Sequence, residues 1–249
     1  MKPIRALSNA DEVVRLLGSE GDMSPAEIAE RLDIPRPSVY RLLDGLESIG
    51  LTESVPGSRA RLNLRWLHLA DQARESMVEW AGARELLSEL VERTSQTAYL
   101  TVLRGHEAVC LEWEQGRAVG VLLLKPGRSL PLYAGAAGRT CLAFGVNVEE
   151  YLDTVTERRA YTADTLTSDA ALRADVEATR RRGYVFSDED VTDGIAAIGV
   201  PIRGSRGQLL GALSVSGIKV EYLAKRDAYL EALLDVAGRL ASLNEAAIQ

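Results

Sequence analysis

Apolar residues recur at helical intervals in three short runs within the first third of the chain. Val13, Val14, Leu16 and Leu17 give one face of a helix. Ser8-Asn9-Ala10-Asp11 reads as its capped start, Leu7 is placed to pack back on it, and Gly18 and Gly21 end it. A second helix opens at Ser24-Pro25-Ala26-Glu27: a hydroxyl cap, a proline at the first helical position, then a glutamate. Ile28, Ala29 and Leu32 form its buried side, and Asp33-Ile34-Pro35 is a turn. A third helix runs from about Arg36 to Ile49, with Val39, Leu42, Leu43, Leu46 and Ile49 on one stripe. The period then drops to two in Leu51–Val55 and Ala60–Leu64, around Pro56-Gly57-Ser58, which suits a hairpin.

Three helices and a hairpin over residues 1–66 make a winged helix-turn-helix pattern. That motif lays its second helix in the major groove of DNA, with the N-terminal residues at the base edges. The polar side of the third helix carries Arg36, Ser38, Tyr40, Arg41 and Asp44. Ser38 and Arg41, three apart, face the same way, so a hydroxyl and a guanidinium can reach neighbouring bases or phosphates. The wing brings Arg59 and Arg61 to a flanking phosphate or minor groove. The candidate DNA-facing set is therefore Ser24, Arg36, Pro37, Ser38, Tyr40, Arg41, Arg59 and Arg61.

Trp66 to Trp80 continues in helical register without Gly or Pro. The expected linker helix, 67–82, puts Leu67, Ala70, Arg74, Met77 and Val78 on one face, a candidate dimer contact. A helix of about Arg84 to Thr94 follows. Strands are then expected at Thr97–Leu103, Glu107–Trp113 and Val119–Leu124. Leu130-Pro131-Leu132-Tyr133 leads into the small-residue run Ala134-Gly135-Ala136-Ala137-Gly138 and a helix with Thr140, Cys141, Leu142 and Phe144. Another helix spans Ser168 to Arg182. Strands at Tyr184–Phe186, Ile195–Ile202 and Gln208–Val215 precede one long closing helix from Lys219 to Asn244. Mixed antiparallel strands with grouped helices give an α+β second domain, 83–249, large enough for its own core.

Composition narrows the function. The 249 residues are 46% hydrophobic and 26% charged, ordinary globular values that exclude a disordered or collagen-like chain. No apolar stretch approaches the ~18 residues that cross a bilayer, and the first residues lack the features of a secretory signal, so a cytoplasmic protein is expected. The net charge of -7 leans against nucleic acid. Its distribution matters more: residues 1–66 hold nine basic and ten acidic side chains, while Arg59 to Arg65 holds three arginines and no acid. Two cysteines and two histidines support neither a disulfide framework nor a metal site. Cys110 and Cys141 read as buried thiols, and His68 and His106 as exposed. Tyr133 and Arg139 stand where a phosphate loop needs glycine and lysine. No nucleophile elbow or catalytic His pairing appears, and Asp188, Glu189, Asp190 and Asp193 read as a charged loop. No catalytic residue, metal or cofactor is expected.

Pro35-Arg36-Pro37-Ser38-Val39-Tyr40-Arg41-Leu42-Leu43 and Leu130 to Arg139 are followed by Arg182-Gly183-Tyr184, Ser187-Asp188-Glu189-Asp190, Gly194 with Pro201, and Ala212 to Gly217. In this order and spacing they make a chain that resembles the IclR-type bacterial transcription regulators. The resemblance implies a linker helix after the winged helix, a GAF-like effector-binding domain, and dimers that often pair into tetramers on palindromic operators. It also implies control of operons in response to a small organic acid or related metabolite, repression being the commoner mode. An enzyme using the winged helix for assembly, or a metabolite sensor acting through protein partners, are the alternatives from other classes.

The resemblance places the effector among Leu130, Ala136, Ala137, Ser187, Ala197, Ser214 and Ser216. The chemistry agrees. Backbone N–H groups in a small-residue turn opening a helix favour an anion. Two serines at i and i+2 share a sheet face and can donate to one carboxylate. Members of the family that bind very small oxo-acids carry aspartate and cysteine where this chain has Ser187 and Ala197. Losing both enlarges the cavity and suits a bulkier, less polar ligand. Tyr133 replaces the usual histidine, with no role assigned.

Overall fold

The computed structural model describes residues 4–117 and 124–248, in two compact units, Met1–Ser76 and Met77–Gln249. The first unit holds α1 (Arg5–Glu20), α2 (Pro25–Leu32), α3 (Arg36–Ser48), the hairpin β1 (Thr52–Val55) and β2 (Arg59–Leu62), and α4 (Arg65–Glu75). Its core gathers Val13, Leu17, Ile28, Val39, Leu43, Leu46 and Ala60. Met23 bridges to Ala60 in the backbone, so the hairpin closes against the entry to α2.

Four readings of the sequence are corrected. Helix α1 opens at Arg5, with Ile4 at the cap position and no side-chain cap, and Leu7 is 66% exposed. Arg5, Ala6 and Leu7 are good helix formers, so nothing stops the helix at Ser8. Ile49 leaves the apolar stripe because α3 ends at Ser48, and it is 55% exposed. The helix after the wing ends at Glu75, and only a 3₁₀ turn, Val78–Trp80, follows. Finally, the closing helix is two: α9 (Lys219–Leu223) and α10 (Arg226–Ile248). Tyr222 anchors the break, accepting a hydrogen bond from the Ile198 N–H at 2.8 Å and donating to the Val215 carbonyl at 3.0 Å.

The second unit is built on a six-stranded antiparallel sheet in the order β5-β4-β3-β8-β7-β6. These strands are β3 (Thr97–Arg104), β4 (Glu107–Glu114), β5 (Ser129–Pro131), β6 (Val185–Asp188), β7 (Ile195–Arg203) and β8 (Leu209–Ile218). The strand expected at 119–124 lies outside the described residues except for Leu124. Alternation in β7 and β8 sends Ile198, Val200, Leu213 and Val215 to one face, where α5 (Ala83–Thr94) and α10 bury them. Across the sheet lie α6 (Gly135–Gly145), α7 (Val148–Thr154) and α8 (Asp169–Arg182), packed around Leu132, Tyr133, Leu142, Tyr151 and Leu172. Helix α6 lies directly on the sheet: a Cβ at Gly199 would come within 2.6 Å of the Ala136 carbonyl oxygen. Tyr133 belongs to this core and donates to the Arg159 carbonyl at 3.0 Å, a structural role for the residue.

Candidate functional site

In the first unit, the capping box expected at α2 is formed. The Ser24 N–H donates to the Glu27 carboxylate at 2.7 Å, and the Glu27 N–H donates to Ser24 Oγ at 3.3 Å. The Ser24 backbone hydrogen bond is the main reason that the Glu27 carboxyl sits below the usual carboxylate range. Ser24 is thus committed to the helix end, and Asp33, in the left-handed region at φ 53°, ends that helix and turns the chain into α3.

At the start of α3, Arg36, Pro37, Tyr40 and Arg41 are exposed and Ser38 is half-buried. Neither Arg36 nor Arg41 has an ion pair or side-chain hydrogen bond among the described residues. Ser38 and Arg41 border an open groove that Arg5 and Asn9 of α1 also line, two polar residues the sequence reading did not single out. The wing arginines differ. Arg59 donates to the Asp22 carbonyl at 2.7 Å and pairs with the Glu27 and Asp22 carboxylates at 3.0 and 3.4 Å. Arg61 pairs at 2.6 Å with Glu53, its cross-strand neighbour. Both wing arginines expected to face DNA thus already have a carboxylate partner.

In the second unit, a cavity lies between the sheet and the first turn of α6. It is open at its mouth, and about 70 Å³ of it can hold the centre of a water-sized sphere. All seven candidate effector positions line it: Leu130, Ala136, Ala137, Ser187, Ala197, Ser214 and Ser216. Strand register explains the convergence. Ser187 pairs with Ala197 and Ala197 with Ser216, one row across three strands, while Ser214 lies opposite both Gly199 and Tyr99. Tyr99, Leu124, Gly135, Val191, Thr192 and Ile195 complete the wall, and the sequence reading named none of them as a site residue.

Ser187 is a buried residue of β6 and donates a short hydrogen bond to Asp190. Asp190, 2% exposed, also accepts from the Gly135 N–H at 3.0 Å and from Arg139 at 3.1 Å. Gly135 reaches that carboxylate at φ +70°, a conformation that suits glycine. Arg139 in turn grips Asp175 through two nitrogens, at 2.9 and 2.5 Å. Its charge is secure: the two carboxylates overcome the desolvation that would lower its pKa, and hold it above the usual arginine value. Two neighbours in the acidic loop, Asp188 and Glu189, pair with Lys219 at 2.7 and 2.8 Å. Three of the loop's four acids, Asp188, Glu189 and Asp190, are thus in ion pairs, and among the described residues no group of three or more acidic, Cys or His side chains has metal-holding geometry. Both cysteines are buried and outside any disulfide, and burial pushes the Cys141 thiol up to about 12. No described helix is long and apolar enough to cross a membrane.

Comparison with known proteins agrees with both halves of this geometry. The model for the IclR helix-turn-helix domain matches residues 6–56, and that for the bacterial transcriptional regulator IclR C-terminal domain matches residues 76–242. The HTH-type transcriptional regulator BhcR of Paracoccus denitrificans is 32% identical over 243 residues, 93% of this chain and 83% of that protein. The glycerol operon regulatory protein of Streptomyces griseus is 27% identical, covering 86% of this chain and 85% of its own. Among solved structures, an IclR transcriptional regulator from Alicyclobacillus acidocaldarius superposes with a TM-score of 0.83 at 22% identity, over 98% and 100% of the two chains. An IclR homologue from Microbacterium hydrocarbonoxydans, complexed with 4-hydroxybenzoate, gives 0.80 at 22% identity over 97% and 99%. With both family models matched in order and the relatives named as regulators, the chain belongs to the IclR family of bacterial transcriptional regulators, with an N-terminal helix-turn-helix DNA-binding domain and a C-terminal effector domain.

Proposed function

We propose that the protein is a repressor that binds a palindromic operator as a dimer or dimer of dimers, and that a small molecule in the C-terminal cavity changes its affinity for that DNA. The convergence of seven residues, far apart in sequence, on one cavity carries this reading. Residues 1–66 would read DNA, 67–82 connect, and 83–249 bind the effector and assemble the oligomer. Arg36 and Arg41 would supply the first contacts, because they are exposed and have no side-chain partner among the described residues. Helix α4 buries no residue, and Leu64 and Leu67 are 73% and 65% exposed, which supports a subunit contact beside the wing. Ser187 and Ala197 line the cavity in place of a carboxylate and a thiol, so a molecule larger than a two-carbon acid fits best. The 4-hydroxybenzoate complex of a protein of the same fold supports a ring-sized ligand.

A footprint of the purified protein on its own upstream intergenic DNA tests the reading. The expected result is a protected palindrome with half-sites about 34 Å apart, one helical turn. No protected site at low salt would refute it.

A further inference from the structure

Tyr99 is 3% exposed, and among the described residues its hydroxyl makes no hydrogen bond of full geometry, the neighbouring Ser216 side chain being its polar contact. It nevertheless lines the cavity, beside Ser214 and Ser216. Burial raises its pKa far above the usual phenol value, so the group is a neutral donor and acceptor. A buried phenol so incompletely paired is costly, and such groups ordinarily find a full partner. Stacking on Trp113, with ring centroids 6.3 Å apart, holds the ring.

The charges around the cavity are equally specific. No Lys, Arg or His is among its described lining residues. The nearby ions are already matched to one another: Asp175 and Asp190 share Arg139, and Asp175 also meets Arg182 at 3.8 Å. Asp190 also holds the Gly135 N–H, one of the amides that an anion at the start of α6 would otherwise take. A ligand carboxylate would therefore lose its hydration with no free cation among the described lining residues to meet it. What remains for a ligand is a set of neutral groups: the hydroxyls of Tyr99, Thr192, Ser214 and Ser216, and the first-turn amides of Ala136 and Ala137, which helix geometry leaves unpaired. Leu124, Leu130, Val191 and Ile195 supply the apolar wall.

We infer that this cavity selects an uncharged, ring-sized molecule bearing a hydroxyl or carbonyl, and that the Tyr99 hydroxyl is the group that reads it. The inference rests on the effector reading above and narrows it: the organic acid expected from the family resemblance is replaced by a neutral ligand.

Calorimetric titration of the full chain at pH 7 with three probes tests it. 4-Hydroxybenzamide and 4-hydroxybenzoate share shape and differ in charge; benzamide lacks the hydroxyl. The amide is expected to bind about tenfold or more tightly than the acid, and Tyr99→Phe to weaken 4-hydroxybenzamide about tenfold with little effect on benzamide. Asp190→Asn, which removes a buried carboxylate from beside the cavity and frees part of the Arg139 charge, should bring the acid and amide closer together. Tighter binding of the acid to the wild type overturns the charge inference and leaves the effector cavity standing. Equal losses for both amides in Tyr99→Phe overturn the role of Tyr99. If no probe binds, or if amide binding persists when Ala197→Trp fills the cavity, the inference and the effector reading fall together.

Discussion

The arginines of the first unit should contribute unequally to DNA binding. Arg41 stands exposed on α3 with no ion-pair or hydrogen-bond partner among the described residues, so a base or phosphate gains its charge at no loss there. Its replacement by alanine removes a contact worth about 1–3 kcal/mol if it reads a base, roughly 5- to 150-fold in affinity. Arg59 starts from a different state. Its guanidinium is held by the Asp22 carbonyl at 2.7 Å and by the Glu27 carboxylate at 3.0 Å, and its side chain is only 35% exposed. To reach a phosphate it must give up these partners, so most of what DNA supplies is offset. Arg59→Ala should therefore cost less than about fivefold and leave the salt slope of binding near its wild-type value, since each phosphate contact contributes about 0.9 to that slope. Fluorescence anisotropy of a labelled operator duplex, titrated at several salt concentrations, measures both quantities. The reasoning fails if Arg59→Ala loses as much as Arg41→Ala, or if its slope falls by about one.

Two further predictions concern the second unit. Gly199→Ala places a methyl group 2.6 Å from both the Ala136 carbonyl oxygen and Thr140 Oγ1, so α6 must lift; the cost should be about 1–3 kcal/mol, read by calorimetry as a fall of roughly 2–4 °C in Tm per kcal/mol, and an unchanged Tm would contradict the close approach. Cys141, fully buried with its pKa pushed up to about 12, should stay thiol at pH 8 and resist iodoacetamide until the chain unfolds; intact mass spectrometry showing native-state labelling at this position would refute that.

Much of the architecture is legible because local chemistry and tertiary packing agree. The Ser24–Glu27 capping box, the period of two in β7 and β8, and the glycine-rich entry to α6 each announce their element, and β7 and β8 sort cavity from core by simple alternation. Tyr99 escapes such a reading because β3 is buried on both faces from Thr97 to Val102, so no alternation marks which side chains face a ligand. Val191 and Thr192 reach the cavity from a loop whose path is fixed by buried Asp190, and that carboxylate's partners come from Gly135, Arg139 and Ser187. No local pattern encodes such long-range contacts. The break between α9 and α10 is similar: helical periodicity runs through it, and only the hydrogen bonds of Tyr222 to β7 and β8 reveal why the chain turns. The wing arginines show the converse limit, since a run of cations in sequence is not a run of free cations once Glu27, Asp22 and Glu53 fold beside them.

The most direct test of ligand-controlled DNA binding compares the wild type with a Ser214→Ala, Ser216→Ala double variant in one operator titration, with and without 4-hydroxybenzamide. The two proteins should bind the duplex from the upstream intergenic region equally in the absence of ligand, and in preference to an unrelated duplex. The amide should shift the midpoint for the wild type and leave that of the variant in place. An identical shift in both proteins, or no preference for the upstream duplex, would contradict the account.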